Sequence, residues 1–81
     1  MNEKIFIEKA RELVYEYTND NRISIDDIYV VWSCKTLQNN KALLSTPIED
    51  GMYYEITYNG DKKEIYFDAY KRMENIKIDF K

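Results

Sequence analysis

Between Met52 and Ala69 two alternating runs flank a compact turn, and this segment constrains the fold more than any other. Met52-Tyr53-Tyr54-Glu55-Ile56-Thr57-Tyr58 leads into Asn59-Gly60-Asp61, and Lys63-Glu64-Ile65-Tyr66-Phe67 leads away. Residues two apart share a face of a sheet, so the pairing register decides which side chains are buried. Closure at Gly60-Asp61, or a four-residue loop from Asn59 to Lys62, sets Ile56 against Ile65 and Tyr54 against Phe67. Closure at Asn59-Gly60 alone sets Ile56 against Lys63, which a buried face rejects. The predicted core face holds Tyr54, Ile56, Tyr58, Ile65 and Phe67. The far face holds Tyr53, Glu55, Thr57, Glu64, Tyr66 and Asp68.

Upstream, the spacing predicts an amphipathic helix over residues 3–18. Phe6, Ala10, Leu13 and Tyr17 recur at helical spacing, and Ile5 and Val14 widen the stripe. Asn2 is a candidate cap, and Thr18-Asn19-Asp20-Asn21 favours a turn that ends the helix. Ser24-Ile25-Asp26-Asp27 suits a short helical turn. Residues 28–37 read as a long strand, with Ile28, Val30, Trp32 and Cys34 on its apolar face and Tyr29, Val31, Ser33, Lys35 and Leu37 on the other. Asn39-Asn40 suits a hairpin turn, because asparagine tolerates positive φ. A loop from Gln38 to Asn40 with a local bulge places Cys34 opposite Leu44, and the chain returns as a strand over 42–46. Pro47 ends that strand. Asp68 to Asn75 is compatible with a short helix or with an extension of the preceding strand. Ile76, Ile78 and Phe80 alternate with Lys77 and Asp79 as a last strand would. Residues 1–81 are expected to form one small α+β domain, with the N-terminal helix packed on a mostly antiparallel sheet of four to five strands.

Composition excludes several function classes. There is no histidine among the 81 residues, so Ser-His-Asp and Cys-His activation and histidine-based metal sites are unavailable. Cys34 is the single cysteine. It has no disulfide partner in the chain, and its expected place is a small buried core position. Asp26-Asp27 and Glu49-Asp50 are paired acids, but Ca²⁺ or Mg²⁺ needs several converging oxygens and no EF-hand spacing is present; they read as solvated turns. Gly51 and Gly60 belong to turns rather than to a phosphate-cradling loop. No catalytic, cofactor or metal residue is therefore assigned. A net charge of −3 with scattered lysines and arginines does not favour nucleic acid, which is bound through clustered cations. No apolar run spans a membrane and no signal-peptide pattern follows Met1, so a cytoplasmic protein is expected.

Aromatic residues have high strand propensity, so most of the eight tyrosines need no function beyond folding. Tyr17, Tyr54 and Tyr58 belong to the core or its edge. Tyr53 and Tyr66 are diagonal neighbours on the far face in the register above. With Leu43, flanked by Lys35 and Glu55, they form a candidate partner-binding patch, because tyrosine offers a large rigid surface and a hydroxyl. Ordinary cross-strand pairing on a half-exposed sheet face is the alternative. The expected function is non-enzymatic: binding of a protein partner, or pairing with a second copy, through that face. A single-stranded nucleic acid stacked on Tyr53 and Tyr66 beside Lys35 is the rival reading.

Two blocks carry a family resemblance: Tyr29 to Asn39 (YVVWSCKTLQN) with Lys41 to Thr46 (KALLST), and Asp50 to Asp61 (DGMYYEITYNGD) continuing to about Lys71. Together they cover roughly half the chain in a continuous block. In them the sequence resembles a family of small uncharacterised proteins encoded by phages and prophages of low-GC Gram-positive bacteria. The resemblance implies a phage or mobile-element accessory protein in the cytoplasm of a bacterial host, with a host or phage protein as partner. It assigns no functional residue.

Overall fold

A computed structural model describes residues 1–80. The helix α1 spans Glu3–Thr18. It begins where the Asn2 side chain accepts a hydrogen bond from the Ile5 N–H at 2.9 Å, satisfying one of the donors that a helix start leaves unpaired. It ends at Asn19, whose N–H makes a last helical bond to the Tyr15 carbonyl and whose left-handed backbone (φ 46°) then turns the chain out of the helix. A single 3₁₀ turn at Ile25–Asp27 follows, held by the Asp27 carboxylate accepting from the Ser24 N–H at 2.8 Å.

Four strands then form an antiparallel meander in the order β1-β2-β3-β4: β1 Tyr29–Thr36, β2 Asn39–Ser45, β3 Met52–Asn59 and β4 Glu64–Lys71. The helix lies over the central strands β2 and β3. Phe6, Ala10 and Val14 from α1 close the core on Ala42, Leu44, Tyr54 and Ile56, with Ile23 and Ile28 sealing one side. Full burial of each large side chain contributes about 1.5–3 kcal/mol. At the margin, the Tyr17 ring lies 5.0 Å from Phe67 and 5.8 Å from Tyr54. Two polar contacts tie the helix to β1 and its approach: Arg11 donates from Nε to the Ile28 carbonyl at 3.1 Å, and Ser33 donates to the Glu3 carboxylate at 2.9 Å.

Several expectations are corrected. Ile5 is exposed, outside the buried stripe, while Ile7 and Leu13 pack at its edges. The first hairpin turns at Leu37-Gln38, with Leu37 at φ 56°; Asn39 and Asn40 are strand residues. The predicted bulge near that turn lies instead at Val31, between the pairs Val30↔Leu44 and Trp32↔Leu43. One extra residue reverses the facing of everything after it. Val30 therefore faces the helix, while Trp32 and Cys34 face away, and Cys34 is exposed rather than buried. In the second hairpin Ile56 pairs with Phe67 and Tyr58 with Ile65, a slip of two residues from the expected register. Two is the sheet's period, so the predicted core and far faces survive the slip. Gly60 to Lys63 form the loop: the Asn59 side chain accepts from the Asp61 and Lys62 N–H groups, and Lys63 closes it at φ 54°. Asp68 to Lys71 continue β4, and no fifth strand forms. Residues 72–80 run on without regular structure, and Ile76, Ile78 and Phe80 are exposed.

Candidate interaction face

The helix occupies one face of the sheet, and among the described residues no element covers the other. Strand alternation and the bulge bring together on that open face a set of side chains that the sequence scatters. One row runs Tyr29, Ser45, Tyr53, Tyr70, with Tyr29 opposite Ser45 and Tyr53 opposite Tyr70. The next runs Trp32, Leu43, Glu55, Asp68, each residue paired with its neighbour. A third runs Cys34, Lys41, Thr57, Tyr66. Trp32 keeps 42% of its surface exposed, unusual for the residue with the most apolar area to lose to water.

The predicted patch is partly reassembled. Leu43 and Glu55 sit opposite each other, and Tyr53 neighbours Leu43 on the diagonal. Tyr66 does not join Tyr53: it pairs with Thr57, four residues along β3 from Tyr53, about 13 Å at strand rise. Its hydroxyl donates to the Glu64 carboxylate, and that bond holds the phenol above the ordinary tyrosine range. Lys35 is misplaced: it pairs with Asn40 on the helix side of the sheet, where its ammonium reaches the Leu37 carbonyl. Lys41 takes its role, 3.6 Å from Glu55. Sequence reasoning missed Tyr29, Trp32 and Tyr70. Tyr70 is hidden because Asp68 to Asn75 reads equally as a short helix or as more of the strand, and for Trp32 the single bulged residue is decisive; an apolar tryptophan between alternating residues gives no local sign of which face it takes.

Electrostatically the face is acidic on its β3–β4 side. Glu55 and Asp68 stand directly opposite, and Lys41 attends only Glu55. At the end of the face Tyr29, Ser45, Tyr53, Gly51 and Arg72 line a cleft of about 440 Å³. Its floor is fixed by Ser45, which donates to the Met52 carbonyl at 2.8 Å, and by the Arg72 N–H bound to the Gly51 carbonyl at 2.7 Å. Gly51 has φ +72°, a conformation glycine adopts without penalty. Among the described residues no group of three His, Cys, Asp or Glu side chains is placed to hold a metal, and no helix is long and apolar enough to cross a membrane.

A family model for a family of unknown function, DUF6275, matches residues 7–80. The chain belongs to the DUF6275 family. The DUF6275 match takes in α1 from Ile7 onward, all four strands and the segment beyond β4, so it reaches past the two blocks that carry the resemblance in the sequence. Comparison with curated proteins and with solved structures gives no match.

Proposed function

We propose that this protein is a non-enzymatic accessory protein that binds a protein partner through the open sheet face. The observation that carries the reading is the set Tyr29, Trp32, Leu43, Tyr53 and Tyr70 on a face without a covering layer. Tryptophan and tyrosine dominate binding energy at protein interfaces because they lose much water-accessible area at little conformational cost. Contiguous exposed apolar surface on a small domain marks such a site. The absence of histidine from the sequence supports the non-enzymatic part. The resemblance in the strands supports a phage or mobile-element origin and a host or phage partner in the bacterial cytoplasm.

Single-stranded nucleic acid is the weaker reading. Lys35 lies on the other face, and Lys41 is set against Glu55, Glu64 and Asp68, a balance that repels a polyanion. The test is affinity capture from host lysate with the wild type and with Trp32→Ser/Tyr53→Ser, folding checked by circular dichroism. A protein retained by the first and lost by the second is expected. Equal retention by both overturns the face.

A further inference from the structure

The sheet has two free edges, and they are not alike. The β1 edge is interrupted by the Val31 bulge, a device that blunts an edge against pairing. The β4 edge runs unbroken over Glu64–Lys71, with no proline and a single lysine, at its end. Such an edge leaves a row of backbone donors and acceptors open to another strand. On its helix-side face lie Ile65 and Phe67, only partly buried because α1 sits over β2 and β3.

The same chain holds an unpaired segment that fits this edge. In residues 76–80, Ile76, Ile78 and Phe80 alternate with Lys77 and Asp79, and the three apolar residues are 69%, 82% and 99% exposed. Those exposures leave the segment outside the packed core. Antiparallel addition to β4 in one register sets Ile76 against Ala69, Ile78 against Phe67 and Phe80 against Ile65, all on the helix side. The same register sets Lys77 against Asp68 on the far side. Asp68 makes no ion pair among the described residues and stands across from the like charge of Glu55. Registers shifted by one residue put Lys77 against an apolar side chain and an isoleucine against Asp68.

We infer that residues 76–80 form the fifth strand of a second copy, added to its β4 edge, so that two chains exchange these segments around a two-fold axis. Folding the segment back on its own β4 in this register leaves Arg72-Met73 as a two-residue turn. Such turns need positive φ, which glycine or asparagine supplies most readily; Leu37 supplies it in the first hairpin, whereas neither Arg72 nor Met73 has a positive φ. Arg72 is also held in line with β4 by its bond to the Gly51 carbonyl. Pairing with a second copy requires no turn, and residues 72–75 serve as the hinge that sets the facing of the added strand. The apolar contacts of the exchange lie on the other side of the sheet from the proposed partner face, and the exchange meets that face only at its β4 margin, where Lys77 stands against Asp68.

Sedimentation of the full chain over a wide concentration range tests this. Wild type is expected at twice the 9.8 kDa chain mass, with Ile78→Asp, Asp68→Lys and Lys77→Asp each shifted to monomer and the Asp68→Lys/Lys77→Asp pair returned to dimer. Ile78 is too exposed in the single chain for its change to unfold the domain, and circular dichroism checks this. A wild type that stays monomeric, or a dimer indifferent to Ile78→Asp, overturns the inference.

Discussion

Gly60 and Gln38 meet where the tips of the two hairpins touch. A Cβ on Gly60 would stand 2.2 Å from the Gln38 carbonyl oxygen and 2.5 Å from its Cβ. The Asn39 side chain completes the join by accepting from the Gly60 N–H at 3.0 Å. This contact ties the β3–β4 loop to the β1–β2 turn and so fixes both registers at one point. Gly60→Ala is expected to force the tips apart and to destabilise the fold by about 1–3 kcal/mol, the usual cost of overpacking. Urea unfolding measures it.

Asn40 is 1% exposed, and neither its side-chain oxygen nor its nitrogen has a hydrogen-bond partner among the described residues. A buried amide left unsatisfied costs about 1–3 kcal/mol. Asn40→Leu, similar in volume, is expected to raise the unfolding midpoint in the same urea experiment.

Asp20 accepts a forked pair of bonds from the Arg22 guanidinium and another from the Arg22 N–H. These bonds lower its pKa from 3.8 to about 2. A folded-state pKa below the unfolded one means the contact stabilises at pH above 3.8 and is lost as pH falls through about 2. Carboxylate titration by NMR is expected to show this value in wild type and a return toward the ordinary aspartate range in Arg22→Gln, though the backbone bond keeps part of the shift.

The bulge at Val31 turns Cys34 outward. Its thiol is expected to react with a chromogenic disulfide reagent in the folded protein as readily as after denaturation. Protection in the folded state would place Cys34 back on the core face and Trp32 with it.

That pair of residues marks the limit of what the sequence shows. The helix was legible because Phe6, Ala10, Leu13 and Tyr17 repeat at its period, although Val14 rather than Tyr17 proves to be the buried member, and the Asn2 cap because its chemistry is local. The core face of β3 and β4 was legible because a slip of two residues leaves every side chain on its own face. A bulge of one residue reverses faces, and nothing in Val30-Val31-Trp32 announces it; the paired strand decides. The Leu37-Gln38 turn was hidden for a related reason. Asn39-Asn40 has the chemistry of a turn, but Asn39 is used by Gly60 and Asn40 is enclosed by the helix side of the sheet. The patch residues Leu43, Tyr53 and Glu55 followed from alternation alone, whereas Lys35 and Tyr66 depended on exact register and were misplaced. Residues 76–80 have a strand's pattern without a partner inside their own chain.

The proposed function puts partner binding on the open face and not on the helix side. The most direct measurement compares partner retention by two doubly substituted full chains, Trp32→Ser/Tyr53→Ser on the open face and Glu8→Gln/Glu12→Gln on the exposed side of α1, each with its melting temperature. Loss of the partner from the first, with retention by the second and both folded, is the predicted result. Retention by the first and loss from the second contradicts the account.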